Sequence, residues 1–377
     1  MDNYLTYSYE QLKKFCDDAF EKFGFNKEEA GIISDVLLMA DLYGIESHGM
    51  QRIVVYHMNI AKGRIKVDAK PEVLFETPVS AVIDAKAGMG QVVSHRAMEK
   101  AIEKAKKTGM AIVTVKNSNH FGIAGYYAKM ACDQGLIGLS TTNTNPIMVP
   151  TFGRVAMLGT NPIAIACPAE PYPFFFDAAT TVVTRGKLEV YNKLDKPLHE
   201  GWAINSTGAG ETDAARVLSD IQAHEGGGIL PLGGIEEASG SHKGYGWGMV
   251  SEIFSAILSG GLTSDKTGSN GHSGICHGFM VIDPKAFGDP EAIKAHLSSY
   301  LDDIRNSPKA EGQPRIYTHG EKEVFAMADR MKNGIQVNVN TVAEMRDMAQ
   351  YLGMDVASYL GAEALTIKGK ESTYKKQ

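Results

Sequence analysis

Val115-Lys116-Asn117-Ser118-Asn119-His120-Phe121-Gly122-Ile123-Ala124-Gly125-Tyr126-Tyr127 is the stretch that decides how this chain folds. The β-branched run at 111–116 (AIVTVK) predicts a buried strand, the polar and glycine residues after it a loop, and residues 126–134 a helix. A strand feeding a helix through a short loop is the repeating unit of α/β folds. The start of such a helix exposes backbone N–H groups that suit an anionic ligand. His120 and its glycines therefore mark a candidate site, although a loop that only caps the helix accounts for the same residues.

Outward from that unit, the pattern stays mixed on both sides. Residues 72–76, 80–84, 136–142, 163–167, 174–177 and 278–283 read as strands. Helical spacing appears at 91–108, 244–259 and 290–304. Toward the N-terminus the chain turns helical. Ser8 and Gln11 have the spacing of a capping box, ahead of Leu12, Phe15, Cys16, Ala19 and Phe23, and Gly24 stands at the C-cap. Asn26 and Glu29 cap a second helix carrying Ile33, Val36, Leu37 and Ala40, and a third is expected from about 47 to 61. The last sixty residues return to helix, most clearly at 342–352, before a lysine-rich tail at 368–377 that is expected to fray. The expected architecture is α/β, with a helical domain built from both ends (1–70 with 305–377) around an inserted α/β domain (71–304) that binds cofactor.

A second segment, Ile45-Glu46-Ser47-His48-Gly49-Met50-Gln51-Arg52, places an imidazole, a hydroxyl and a guanidinium within eight residues. Histidine exchanges protons near neutral pH, and arginine offers a planar fork that matches a carboxylate. On a continuous helix His48 and Arg52 would share a face. A helix cap beside a surface arginine is the plainer reading of the same spacing.

Bulk properties narrow the classes. With 377 residues, 44% hydrophobic and 22% charged, the chain has the composition of a globular protein large enough for more than one domain. A net charge of −6 argues against general nucleic-acid binding. Cys16, Cys132, Cys167 and Cys276 are scattered without a CxxC pair, which suits reduced thiols in a cytoplasmic protein. No signal peptide is evident at the start, and no apolar stretch reaches the ~18 residues of a membrane span. Glycine pairs occur at 88–90, 208–210 and 244–248, but none has the spacing, preceding strand and following acid of a dinucleotide fingerprint. A Rossmann fold is therefore not expected. Among the other histidines, only His272 with Cys276 and His277 approaches a metal-ligand spacing, and no metal is expected.

Four ordered motifs then coincide: S-H-G-x-x-R at Ser47–Arg52, N-S-x-H-F-G-x-A-G-x-Y at 117–127, Gly159-Thr160-Asn161-Pro162, and Lys243-Gly244-Tyr245-Gly246. Together they resemble the malate/L-lactate dehydrogenase family of non-Rossmann NAD(P)-dependent oxidoreductases, over roughly residues 8–330. The resemblance implies a large mixed sheet, NAD or NADP as cofactor, a small 2-hydroxy or 2-keto acid as substrate, malate first among them, and a homodimer. It implies an acid/base at His48, oriented by Ser47, with Arg52 on the substrate carboxylate. His120 would line the nicotinamide site and is the rival acid/base. Phe121, Gly122, Thr144, Asp177, Ala178, Ala179 and Lys243 would complete the cofactor site, and Thr160 would touch substrate or nicotinamide. Where the imino-acid reductases of the family carry an aspartate, this chain reads Arg185-Gly186-Lys187, so Lys187 points to the hydroxy-acid branch. Lactate, sulfolactate and ureidoglycolate are the other substrates the family offers. From a different class, a metal-dependent hydrolase or lyase would use His48 and His120 as ligands and would need a third.

Overall fold

The computed structural model describes residues 4–193, 195–268, 271 and 273–368, so His272 and the tail beyond 368 lie outside the described residues. Strand β1 (Tyr4–Tyr7) leads into α1 (Tyr9–Phe23), α2 (Lys27–Leu42) and α3 (Ile53–Ala61). Next come β2 (Glu72–Glu76), β3 (Ser80–Asp84), α4 (Gly90–Thr108), β4 (Met110–Ser118), α5 (Gly125–Cys132) and β5 (Ile137–Thr142). The chain continues through β6 (Ile163–Cys167), β7 (Phe174–Ala178), α6 (Arg185–Lys193), β8 (Ala203–Ile204), α7 (Ala214–Ala223) and β9 (Gly228–Ile229). Helix α8 (Ser241–Glu252), β10 (Ile275–Ile282), α9 (Pro290–Asn306), α10 (Glu321–Asn333), β11 (Ile335–Asn338), α11 (Val339–Tyr351) and α12 (Val356–Leu360) complete it.

Seven strands form one mixed sheet in the order β2-β3-β4-β10-β5-β6-β7. The β3–β4 pair is parallel and joined by α4; the other pairs are antiparallel. Strand β10 arrives late in the chain yet sits between β4 and β5, so the ends of both earlier strands meet it. The α4 face carrying Val93, Ala97, Ala101 and Ala105 is buried against the sheet, with Val113, Val115, Phe279 and Val281 in the same core. Burial of these side chains on β-branched strands is the main driving force for this layer.

A second core joins the two ends of the chain. Leu12, Phe15, Phe20, Leu37 and Tyr56 pack with Val342, Met345, Met348 and Leu360, and β1 pairs antiparallel with β11. A third, smaller core holds Ile147, Leu188, Val217, Ile221 and Ile229 around α6 and α7, two helices absent from the expected elements.

Local signals in the first helices mostly behave as the sequence predicts. Ser8 Oγ accepts the Gln11 N–H at 3.1 Å and Asn26 accepts the Glu29 N–H at 3.0 Å, while Gly24 ends α1 at φ 110°. Only half of the capping box forms, because Gln11 Nε2 donates to the Tyr359 carbonyl at 2.7 Å. The third helix needs a correction. Two 3₁₀ turns, Glu46–His48 and Met50–Arg52, replace its expected start, and α3 begins at Ile53. The buried Asp41 carboxylate takes the Met50 N–H at 2.7 Å and lies where a Cβ on Gly49 would stand, which breaks the helical path between His48 and Arg52.

Candidate active site

His48 and His120 face one another with ring centroids 5.5 Å apart and planes tilted 30°. The sequence separates them by 72 positions; the fold joins them through the SHG turn after α2 and the loop between β4 and α5. Ser47 Oγ lies 2.8 Å from His48 Nδ1, and Arg52 Nε donates to the Ser47 carbonyl at 2.5 Å. Arg52 therefore reaches the histidine's neighbourhood by folding back over the turn rather than by helical spacing. Burial, and then the Arg52 charge, push the His48 imidazolium down to a pKa of about 4.

His120 has different partners. The Gly122 N–H donates to its Nδ1 at 3.3 Å, and the Tyr56 hydroxyl lies 2.8 Å from the same nitrogen. A backbone N–H can only donate, so Nδ1 is bare and a neutral His120 carries its proton on Nε2. Burial, then the charges of His48, Arg52 and His277, hold its pKa well below the usual histidine value. Ser47 is a hydroxyl and can accept as well as donate. His48 can thus keep its proton on Nδ1 and leave Nε2 bare, the form a base needs.

The loop that carries His120 is clamped from three sides. A Cβ on Gly90 would lie 2.3 Å from the Asn119 carbonyl and 2.4 Å from that of His120, so the start of α4 sits flush on the loop. This close approach is what the 88–90 glycine pair serves. Gly122 adopts φ +83° with Val36 at its face, a conformation that favours glycine. Phe121 is buried and stacks on His277 (4.4 Å, 5°) and on Tyr127 (4.8 Å, 22°). It supports the loop from beneath.

Other predicted residues are linked to one another and, to differing degrees, to these loops. Thr144 Oγ1 accepts the Thr160 N–H at 3.1 Å, and the Thr180 N–H donates to the Thr160 carbonyl at 2.9 Å, so the G-T-N-P loop meets the run after Asp177. Asp177 accepts the Gly125 N–H at 2.7 Å; burial, opposed by that bond, pushes its carboxyl up to about 6. Ala178 ends β7 opposite Ile163, followed by Ala179. At the start of α6, a Cβ on Gly186 would stand 3.4 Å from Ser47 Cβ and 4.0 Å from Arg52 Nη2, so Lys187 is next in chain to a residue touching the SHG turn. The Lys187 ammonium itself is exposed, 5.6 Å from the Tyr191 ring centre. Lys243 stands further off, exposed in a shallow cleft with Leu232 and Trp247; Leu232 links it to the Asp177 run by donating to the Thr180 carbonyl at 2.9 Å.

A cleft of about 700 Å³ is lined in part by Asn59, Arg64, Asn145 and Ser273. Ser273 Oγ donates to Asn119 at 2.6 Å, and Asn145 follows Thr144, so the cleft borders both loops. Its size suits a small-molecule ligand.

The model of the malate/L-lactate dehydrogenase family matches residues 7–346. The chain belongs to that family. It is 44% identical over 356 residues to malate dehydrogenase of Pyrococcus horikoshii, covering 94% of this chain and 97% of that protein. It is 39% identical over 353 residues to L-sulfolactate dehydrogenase of Methanocaldococcus jannaschii, covering 92% and 97%. The crystal structure of malate dehydrogenase from Entamoeba histolytica superposes with a TM-score of 0.90 at 36% identity, covering 93% of this chain and 99% of that one. Family membership makes the protein an enzyme, a hydroxy-acid dehydrogenase, with the α/β fold and large mixed sheet its motifs implied.

Two site residues escaped the sequence reading. Tyr56 follows Arg52 by four positions, a spacing that was available as a signal. Asp41 gave none, because a lone acid at the end of an apolar helix reads as solvent-facing.

Proposed function

We propose that this protein is a nicotinamide-dependent dehydrogenase of a 2-hydroxy acid, malate foremost, with His48 as the acid/base. The observation that carries this reading is the contrast at Nδ1: Ser47 Oγ can accept a hydrogen bond from His48 Nδ1–H, whereas His120 Nδ1 receives donors from Gly122 and Tyr56. Arg52 grips the substrate carboxylate through its fork, and bare Nε2 of His48 takes the hydroxyl proton. In the reverse direction protonated His48 returns it to the keto oxygen. The Nε2–H of His120 donates a hydrogen bond to the substrate oxygen or would line the nicotinamide, and Thr160 and Lys187 bind the rest of the acid. A bound nicotinamide supplies the hydride acceptor and donor.

The residues present fit that cofactor. Both imidazoles are held neutral, which suits a cationic oxidised ring, and the cleft bordering the Asn119 and Thr144 loops has room for a small ligand. Phe121, Gly122, Thr144, Asp177, Ala178, Ala179 and Lys243 would hold it, whether as NAD or NADP. We read residues 1–70 with 305–377 as one helical unit around the inserted 71–304 domain, supported by the core that the chain ends share. A homodimer is the assembly we expect, supported by Trp247, Ile253 and Ile257 exposed along α8 and the turn after it. Four free cysteines fit a cytoplasmic enzyme. No helix among the described residues is long and apolar enough to cross a membrane.

The test is a panel of oxaloacetate, pyruvate, 2-oxoglutarate and sulfopyruvate with both reduced cofactors. Oxaloacetate turned over with the highest kcat/KM supports the malate reading. A response to zinc or a chelator, with no nicotinamide oxidation, would support the hydrolase or lyase reading instead.

A further inference from the structure

Glu252 ends α8 as a buried carboxylate, 4% exposed, and its hydrogen bonds come from neutral donors. Oε1 accepts Asn143 Nδ2 at 3.1 Å and the Ser264 N–H at 2.8 Å. Oε2 accepts Asn161 Nδ2 at 2.7 Å and Ser264 Oγ at 2.7 Å. A buried anion is tolerated only when its lone pairs are met in this way, and meeting them fixes the groups that do so. An ionised carboxylate accepts and never donates, so it orients both asparagine amides with nitrogen inward.

Those asparagines flank the two site threonines. Asn143 precedes Thr144 and Asn161 follows Thr160, while the threonines are joined by the Thr160 N–H on Thr144 Oγ1 at 3.1 Å. Asn161 is also held at φ +39°, a left-handed conformation uncommon for a residue with a side chain. Asn143 and Asn161 further donate to the Leu262 and Gly248 carbonyls at 2.9 and 3.1 Å. One carboxylate thus ties the end of β5, the G-T-N-P loop, the 262–264 segment and α8 together.

We propose that Glu252 is a positioning residue that sets Thr160, through its bond to Thr144, in register for binding the hydroxy acid. This rests on the reading above that Thr160 meets substrate. Apolar packing would fill the same space, but it would strand two amides and a backbone N–H, which is why a charged acceptor is the side chain that works here.

The experiment compares Glu252→Gln, Glu252→Gln with Asn161→Asp, and Thr160→Ala. Each is read by KM for malate, by kcat, and by the rise in melting temperature that saturating oxaloacetate gives. Glu252→Gln turns an amide against donors; it should raise KM about tenfold, lower kcat by less, and shrink the thermal response. Adding Asn161→Asp restores a donor–acceptor pair across the 2.7 Å bond but loses the Asn161 Nδ2 bond to the Gly248 carbonyl, so KM should return only part of the way. If Thr160→Ala raises KM while Glu252→Gln leaves it unchanged, the positioning role is overturned and the reading of Thr160 stands. If Thr160→Ala leaves KM and the thermal response unchanged, both fall. Should Glu252→Gln not fold, Asn143→Ala removes one donor to the same carboxylate. A raised KM then supports the role, and an unchanged one overturns it.

Discussion

The Tyr56 hydroxyl lies 2.8 Å from Nδ1 of His120, and the Gly122 N–H aims at that same nitrogen. This pairing divides the labour between two histidines that otherwise look interchangeable. It pins the proton of His120 to Nε2 and makes that ring a donor to whatever lies between it and His48.

Tyr56→Phe removes the hydroxyl and keeps the ring in its core. The tautomer of His120 is then held by the Gly122 N–H alone. We expect kcat to fall about tenfold and stability by about 1 kcal/mol, the net worth of one hydrogen bond. Steady-state kinetics alongside thermal melting separates the two effects.

His48 has its pKa pushed to about 4, so its base form persists well below neutrality. In hydroxy-acid oxidation kcat/KM reports the free enzyme, and it should stay level from pH 8 down to about 5 rather than falling below 6.5. Arg52→Gln removes a neighbouring cation, so the imidazolium becomes easier to form and the fall moves upward in pH. Arg52→Lys keeps the charge and leaves the break in place, yet loses the planar fork and should raise KM for the acid about tenfold. A pH–rate series on the two variants checks both signs.

Gly49→Ala puts a methyl 2.0 Å from Asp41 Oδ1, a separation no folded structure accommodates without movement. The SHG turn must shift, and we expect a loss of about 1–3 kcal/mol, as for overpacked cores, together with reduced turnover. Chemical denaturation and activity measured on the same preparation test this.

His277, buried beneath Phe121, has its pKa driven down from 6.5 to about 3 by burial. The unfolded chain therefore takes up this proton first. The stability from keeping the ring neutral is complete above pH 6.5 and is lost as pH falls toward 3. His277→Phe preserves a ring against Phe121. Its unfolding free energy should fall less steeply between pH 6.5 and 4, by up to about 1.4 kcal/mol per pH unit. Urea titrations at several pH values measure that slope.

Much of this was legible in the sequence because its signals are local. AIVTVK reads as a strand from its own residues, and Ser8, Gly24 and Asn26 announce helix ends through their own side chains or φ. The four motifs carried the family. What stayed hidden depends on contacts across the fold. His48 and His120 meet only because the loop after β4 packs against α2 where Gly122 faces Val36. The break before Ile53 comes from Asp41, eight positions before Gly49, and nothing in Ile45–Arg52 itself forbids a continuous helix. The cluster around Glu252 draws on four separate segments, none with a periodic signature. Lys187 stands out by its charge, yet it is its neighbour Gly186 that faces Ser47 and Arg52 across the fold.

The most direct test of the account follows loss of the reduced nicotinamide on adding oxaloacetate, for the unaltered protein, His48→Ala and His120→Ala. Turnover by the unaltered protein, a loss of about 10²–10⁴-fold in His48→Ala and a smaller loss in His120→Ala are expected. Intact turnover in His48→Ala with none in His120→Ala would contradict it and exchange the two roles.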